Sequence, residues 1–176
     1  MIALVTAQPA LDFAQLLRQH QTMVFSLALR FLRDRGLAEE VTQEVFLSLH
    51  RNLAHIQSPA HAAAWLRKVA AQRVIDEGRR RQRRPLVAID KIAEPAATAR
   101  ASGMERDLLL NEALRRLVAS LPETPRMVMI LRYQEDLDPM EIAEVLEMPV
   151  ATVKSHLQRS LSLLREKLAR RGVGEA

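Results

Sequence analysis

Apolar side chains recur at intervals of three and four residues along most of this chain. This spacing follows the period of an α-helix, so each segment that carries it has one apolar stripe to bury. The segments are Leu11–Leu32, Ala38–Leu53, Ala62–Arg81, Met104–Leu121 and Val150–Arg170. Aromatic residues and glycine are scarce, whereas helix formers such as Leu, Ala, Arg and Glu dominate. The sequence therefore predicts an all-α fold.

Local signals mark where some of these helices begin and end. Gly36 suits the left-handed backbone that often terminates a helix, so we expect it to end the first one. The run Asp138-Pro139-Met140-Glu141 combines an acidic N-cap, a proline at the first helical position and a glutamate three residues after the cap. These features together predict a short helix at Pro139–Leu146.

Residues 85–102 differ from the rest of the chain. They contain two prolines and many small side chains, and they show no sustained helical period. Such a composition is typical of a flexible linker. The sequence therefore predicts two small helical domains, residues 1–84 and 105–176, joined by a linker at 85–104.

The composition excludes several classes of protein. The chain has no cysteine, which removes disulfides and cysteine-ligated metals. Its start lacks the basic leader and long apolar core of a secretory signal, and no run approaches the ~20 apolar residues of a membrane span. The histidines are scattered, and no nucleophile stands beside a base. We expect a soluble, cytoplasmic protein without catalytic residues, a metal site or a cofactor.

Positive charge is concentrated in two stripes. Residues 64–84 contain eight Arg or Lys against two acids, and five of the six residues from Arg79 to Arg84 are arginine. Residues 150–176 contain six basic residues against two acids. Clustered positive charge binds nucleic acid because it releases condensed counterions. Solvated helix faces with a tendency to bind membrane surfaces are the alternative.

The C-terminal segment has the layout of a helix-turn-helix. The short helix at Pro139–Leu146 is followed by a turn and by a longer helix with a basic face. The first turns of the second helix enter the major groove in such motifs. The candidates there for contacts with base edges and phosphates are Thr152, Lys154, Ser155, Gln158 and Arg159. An ordinary amphipathic helix is the alternative, but the capped start, the turn and the basic face together favour DNA.

The helix predicted at Ala62–Arg81 carries a second candidate surface. Lys68, Gln72, Asp76 and Arg79 follow one another at spacings of three and four, so they share one polar face. Such a face can lie along a DNA strand while the arginine run holds phosphates. Taken alone, the run favours a solvated helix end.

Three segments resemble one protein family. Motifs of bacterial sigma factors of the sigma-70 family, extracytoplasmic-function group, are matched by AEEVTQEVFLSLHRNL from Ala38, by AWLRKVAAQRVIDEGRRRQRR from Ala64, and by PMEIAEVLEMPVATVKSHLQRSLSLLREKL from Pro139. The resemblance spans about residues 12–84 and 105–168, in the family's order and on either side of the linker. It implies a non-enzymatic factor that binds core RNA polymerase and initiates transcription at specific promoters.

The resemblance also implies a role for individual residues. The family's Q-E-V-F helix docks on core RNA polymerase, and the matching residues are Glu40, Gln43, Glu44, Phe46 and Leu49. Core packing is the alternative for Phe46 and Leu49. The helix from Trp65 and the loop before it would bind the −10 promoter element through His55, His61, Lys68, Gln72, Arg79 and Arg80. The helix-turn-helix would bind the −35 element, and an anti-sigma factor is a further expected partner.

The linker and the departures from the family's motifs carry expectations of their own. About 20 extended residues reach roughly 65–70 Å, which nearly spans two turns of DNA at ~34–36 Å each. Gln72 stands where asparagine is common, which would alter the favoured base. Glu147 stands where the turn commonly has glycine. Either this turn avoids positive φ, or Glu147 carries roughly 1 kcal/mol of strain.

Two other functions compete with this interpretation. A free-standing helix-turn-helix regulator would bind palindromic half-sites as a symmetric dimer without polymerase. A helical partner-binding protein, such as an anti-sigma-type antagonist, would leave both basic stripes without a purpose. A sigma factor instead predicts an asymmetric two-part promoter and poor DNA binding by the chain alone.

Overall fold

The computed structural model describes residues 11–83 and 112–170. The elements are α1 (Phe13–Leu32), α2 (Arg35–Asn52), a short 3-10 turn (Leu53–His55), α3 (Pro59–Arg83), α4 (described at 112–119), α5 (Glu123–Tyr133), α6 (Pro139–Leu146) and α7 (Val150–Arg170). These ranges contain no strand, and the predicted all-α class is confirmed. The predicted linker at 85–104 lies outside the described residues.

The chain divides into two compact units, Met1–Val74 and Ile75–Ala176. The division falls within α3. Each unit buries its own set of apolar side chains, which is what a separately packed domain requires. The domain limits expected from composition, at residues 84 and 105, stay a prediction.

The first unit is built on contacts among α1, α2 and α3. Helix α1 packs against α2, and α3 reaches α2 through an ion pair between Arg73 and Glu44. The fully buried side chains of this unit include Val24, Leu27, Phe31, Val45, Leu49, Leu66 and Val74. Burying one such side chain contributes about 1.5–3 kcal/mol. Apolar burial therefore determines how these helices are oriented, and surface pairs add little.

The turn between α1 and α2 differs from the prediction that Gly36 ends the first helix. Arg33 is the residue with left-handed backbone, at φ 55°, and its N–H donates to the Leu29 carbonyl. Asp34 then caps α2, because its carboxylate accepts the Leu37 N–H at 3.1 Å. Gly36 lies inside the first turn of α2. The prediction was wrong because the Asp34 cap begins α2 before the chain reaches the glycine.

The second unit contains the described part of α4 and helices α5 to α7. A buried cluster joins Leu117, Leu121, Met129 and Leu164, and Val118, Leu157, Leu161 and Leu168 pack against it. The C-terminal half of α7 is also tied to the end of α4, where Lys167 Nζ donates to Ser120 Oγ at 2.8 Å. The apolar stripe predicted for the last helix is therefore confirmed as part of a core.

A reciprocal capping box fixes the start of α6. Asp138 Oδ1 accepts the N–H groups of Met140 and Glu141 at 2.7 and 2.9 Å. In return, Glu141 Oε2 accepts the Asp138 N–H at 2.7 Å, and Pro139 occupies the first helical turn. The cap predicted from the sequence is confirmed, and it sets the residue at which the helix-turn-helix begins.

We expect Asp138→Ala to lower the free energy of unfolding of the second unit by about 1–2 kcal/mol, because two helix N–H groups lose their acceptor. Urea titration of the whole chain, followed by far-ultraviolet circular dichroism, measures the change. Glu144→Ala, at an exposed position of the same helix, is the control and should change stability by less than ~0.5 kcal/mol. Equal losses in the two variants would contradict the capping role.

His20 of α1 is a half-buried titratable group in the first unit. Burial lowers the pKa of His20 from its usual 6.5, and the nearby Arg67 guanidinium lowers it further. The folded chain therefore favours neutral His20, and the unfolded chain binds more protons once the pH falls below 6.5. The stability contributed by the neutral imidazole is complete above the unfolded pKa and is lost as the pH falls through the folded pKa.

We expect His20→Gln to flatten the pH dependence of unfolding, because glutamine has no proton to bind. The measurement is the unfolding free energy of both proteins by urea titration at several pH values between about 7.5 and 5, the range that brackets an ordinary histidine pKa. The wild-type chain should lose more stability than the variant as the pH falls. Parallel profiles would show that His20 does not contribute to this linkage.

Candidate functional site

Helix α2 presents a polar face to solvent. Glu40, Gln43 and Glu44 are exposed, and their spacing places them on one side of the helix. The side chains of Glu40 and Gln43 make no hydrogen bond or ion pair with any residue in the described ranges. The face therefore offers carboxylates and an amide to a partner.

Phe46 and Leu49 lie on the other side of α2. Their exposed fractions are 5% and 0%, so both belong to the core of the first unit. Neither offers surface to a partner in this conformation, and core packing, the alternative raised by the sequence, accounts for their positions. They can affect a partner only through the orientation that they give to α2.

Leu47 was absent from the sequence candidates, yet it stands on the polar face of α2. Its side chain is 56% exposed, and it follows Gln43 and Glu44 by four and three residues, which places it beside them. The signal was present in the sequence, because the apolar stripe of α2 passes through Val45 and Leu49 and position 47 falls outside it. We add Leu47 to the candidate surface as its apolar contact.

Glu44 differs from its neighbours because α3 holds one of its oxygens. Arg73 Nη1 donates to Glu44 Oε2 at 2.6 Å.

Next to Gln43, an open groove of about 400 Å³ lies between α1 and α2 and includes Phe25 in its lining. The Arg35 guanidinium lies 5.9 Å from the centre of the Phe25 ring. The polar face of α2 is therefore bordered by Arg73 of α3 and by Arg35 at the start of α2.

The entry into α3 places two histidines at the surface. His55 ends the 3-10 turn, His61 lies in the first turn of α3, and both are exposed. His61 Nδ1 accepts the Gln57 N–H at 3.2 Å, and the His61 N–H donates to Ser58 Oγ at 3.1 Å. These bonds fix the entry into α3 and leave Nε2 of His61 as the ring nitrogen available to a ligand.

Helix α3 carries the remaining residues expected to bind the −10 element. They are Lys68, which is half-buried, and Gln72, Arg79 and Arg80, which are exposed. Arg79 pairs with Asp76 at 3.8 Å, and Arg80 pairs with Glu77 at 3.1 Å. Exposed pairs one turn apart, such as Arg79–Asp76, contribute only about 0.3–0.5 kcal/mol, whereas the Glu77 side chain is only 17% exposed. A phosphate can therefore displace Asp76 from Arg79, and the arginine run is less free than the sequence suggested.

A left-handed residue makes the turn of the helix-turn-helix. Glu147 has φ 52°, and the following Met148 N–H donates to the Ala143 carbonyl at 3.0 Å. Of the two outcomes expected for Glu147, the positive φ is therefore the one found. A side chain at this backbone conformation carries roughly 1 kcal/mol of strain relative to glycine.

The first turns of α7 carry the residues expected to contact DNA. Lys154, Gln158 and Arg159 are exposed, and Thr152 and Ser155 are half-buried. The side chains of Lys154, Gln158 and Arg159 make no hydrogen bond or ion pair with any residue that the structure describes. Arginine and glutamine match the major-groove edges of guanine and adenine, and lysine suits phosphate. This surface is therefore available for sequence-specific contact without breaking an internal bond.

Residues 11–83 and 112–170 contain no group of three or more His, Cys, Asp or Glu side chains placed to hold a metal ion. None of the helices in these ranges combines the length and the apolar character that crossing a bilayer demands. The acids of α2 are engaged with solvent or arginine, as Glu39 is with Arg35 at 2.9 Å.

Comparison with known proteins identifies both units. The family model described as Sigma-70 region 2 matches residues 16–84, and that described as Sigma-70, region 4 matches residues 111–164. The ECF RNA polymerase sigma factor SigK of Mycolicibacterium vanbaalenii is 30% identical over 175 residues, which cover 93% of this chain and 85% of that protein. The chain belongs to the extracytoplasmic-function RNA polymerase sigma factors. In this sigma factor the region 2 match covers most of α1 and all of α2 and α3, and the region 4 match covers α6 and most of α7.

Other relatives and solved structures agree with the assignment. The ECF RNA polymerase sigma factor SigW of Bacillus subtilis is 28% identical over 169 residues, 89% of this sigma factor and 88% of that protein. The protein named Probable RNA polymerase sigma factor RfaY of Xanthomonas campestris pv. campestris is 30% identical over 155 residues, 86% of this chain but 39% of that protein. The sigma factor RpoE from Bartonella quintana, solved with the anti-sigma factor NepR, has a TM-score of 0.67 at 18% identity, covering 90% of this chain and 97% of that chain. CnrH, solved with the cytosolic domain of CnrY, has a TM-score of 0.63 at 20% identity, covering 90% and 88%. At these identities the two structures show the shared fold.

Phe46 and Leu47 are neighbours in α2, but only Phe46 is buried. Substituting each in turn distinguishes the effect of losing core packing from the effect of losing a surface contact. We expect Phe46→Ala to lower the free energy of unfolding by about 3–5 kcal/mol, because it opens a cavity in the core. Leu47→Ala should stay within ~0.5 kcal/mol of the wild type, because the side chain is already in solvent. Urea unfolding of the two variants makes the comparison. A large loss for Leu47→Ala would show that the side chain is packed and would remove it from the candidate surface.

Proposed function

We propose that this sigma factor binds core RNA polymerase through the exposed face of α2 and directs the enzyme to promoters through α3 and the helix-turn-helix. The observation that supports the proposal is the opposite chemistry of two exposed surfaces. The α2 face offers Glu40, Gln43 and Glu44 around Leu47, which suits a basic protein surface with an apolar socket. The first turns of α7 offer uncommitted basic and amide groups, which suit DNA.

Each DNA-facing surface has its own part of the promoter. On α7, Arg159 and Gln158 contact base edges of the −35 element, and Lys154 holds a phosphate, with Thr152 and Ser155 beside them. On the −10 side, His55, His61, Lys68 and Gln72 face the non-template strand near the start site, while Arg79 and Arg80 hold its backbone. The five lysine and arginine residues among these groups release counterions from DNA when they bind. Recognition should therefore weaken as salt rises.

The catalytic chemistry in this scheme belongs to core polymerase. The chain supplies promoter choice, and its own titratable groups serve as contacts. A free-standing regulator accounts less well for the molecule, because it would need only the helix-turn-helix, whereas the region 2 match extends over residues 16–84. Polymerase docking gives that larger unit a function.

An anti-sigma factor is a further proposed partner. Two proteins of the same fold, RpoE and CnrH, were solved with a protein bound to them, named in the first case as an anti-sigma factor. Exposed apolar side chains in the described part of the chain, among them Leu47, Tyr133 and Met140, are surfaces that such a partner would cover. Affinity purification of the tagged chain from its native cell should recover an antagonist that inhibits transcription in a reconstituted reaction. Recovery of core polymerase alone, under every growth condition tried, would count against this partner.

The direct test is reconstituted transcription. Core polymerase is incubated with genomic fragments, with and without the sigma factor, and the transcript starts are mapped. We expect new starts that share two conserved elements with an asymmetric arrangement. The proposal fails if the set of starts is the same in both reactions.

Arg159→Ala should weaken use of such a promoter by about 5- to 150-fold, equivalent to ~1–3 kcal/mol for one bidentate base contact. Arg165→Ala is the matched control, since Arg165 is exposed on α7 outside its first turns and should have a small effect. Transcript yield at limiting promoter concentration is the measurement. Substituting each base of the −35 element should show that Arg159→Ala relaxes preference at one position. Equal transcript yield from both variants at every such promoter would exclude Arg159 as a base contact.

A further inference from the structure

An ion pair joins the promoter-facing helix to the polymerase-facing helix within the first unit. Arg73 of α3 and Glu44 of α2 are 29 residues apart in sequence, and Arg73 Nη1 lies 2.6 Å from Glu44 Oε2. The pairs Arg35–Glu39 and Arg79–Asp76, by contrast, link residues within about one turn of the same helix. The packing of α3 near α2 therefore creates the Arg73–Glu44 pair, whereas the local pairs follow from the spacing of residues along a single helix.

The pair occupies only part of the Glu44 carboxylate. Arg73 takes Oε2, and Glu44 makes no further hydrogen bond or ion pair with a described residue, which leaves Oε1 open. The two side chains are 41% and 49% exposed, so a partner can reach the carboxylate. A carboxylate has about four acceptor positions. One arginine from this chain and one donor from a partner can therefore share it without competing.

Fixing this carboxylate in advance changes the energetics of docking. A glutamate side chain that is free in solution loses rotamer entropy when a partner immobilises it. Arg73 restricts the Glu44 side chain before the partner arrives, and the rigid frame of buried Val45, Leu49 and Val74 fixes the helices that carry the two residues. Less side-chain conformational entropy is then lost when the complex forms.

We propose that Arg73 is a positioning residue for polymerase docking, which holds Glu44 so that its Oε1 accepts a hydrogen bond from a basic side chain of core RNA polymerase. The inference rests on the proposed function of the α2 face. It predicts that removal of Arg73 lowers the affinity for polymerase. A partner that had to displace Arg73 from Glu44 would instead bind more tightly once Arg73 was removed. Cooperation and competition therefore give opposite results.

The test is a double-mutant cycle in binding of the whole chain to core RNA polymerase. Arg73→Met removes the charge and keeps much of the side-chain volume, and we expect it to weaken binding about two- to tenfold, the lower part of the range for coupled contacting residues. Arg73→Lys should recover part of the loss, because it restores one donor. In a Glu44→Gln background, Arg73→Met should cause little further change. Arg18→Met, an exposed cation on α1, is the control and should leave affinity unchanged.

The outcomes separate this inference from the function on which it rests. If Glu44→Gln and Leu47→Ala both bind polymerase like the wild type, the α2 surface itself is misassigned. If Glu44→Gln weakens binding but Arg73→Met does not, or strengthens it, the surface stands and the positioning role is refuted. A loss from Arg73→Met that is equally large in the Glu44→Gln background would also refute it. Unfolding midpoints of all variants, measured alongside, exclude a general loss of structure.

Discussion

Burial of a single apolar stripe by each helix is the constraint on which the rest of this structure depends. In α2 the stripe takes Val45, Phe46 and Leu49 into the core, so the opposite face must carry whatever meets solvent or a partner. The same rule leaves the first turns of α7 exposed once Val153 is buried. The functional surfaces are thus the complement of the core, and their chemistry is free to differ because packing places few demands on it.

The exposed surfaces of α2 and α7 carry opposite charge on one chain. The α2 face is acidic and surrounds one leucine, whereas the exposed start of α7 is basic and polar. DNA repels the first surface and attracts the second, so a single polyanion cannot occupy both. A partner protein can bind the acidic face while DNA binds elsewhere, which is the division of contacts that a promoter-specificity factor needs. Salt should weaken the DNA contacts more steeply than a protein interface anchored by apolar contact.

Local patterns in the sequence predicted much of the fold, and long-range packing explains what they missed. The helical period and the Asp138 capping box depend on neighbours within a few residues, and both were confirmed. Gly36 was assigned to the wrong helix end because two local signals competed, and the Asp34 cap determined the outcome. Leu47 could have been recognised from its place outside the apolar stripe. The Arg73–Glu44 pair had no local signal, because only the packing of α3 near α2 brings the two side chains together.

We expect one chain to contact two separate promoter elements only while it is bound to core RNA polymerase. Chemical footprinting of one promoter by the chain alone, by core polymerase alone and by the two together tests this most directly. We predict two separated protected regions, with unstacked bases in the region nearer the start site, only when both proteins are present. A single palindromic footprint formed by the chain without polymerase, and unchanged when polymerase is added, would show that the chain binds DNA as a free-standing regulator instead.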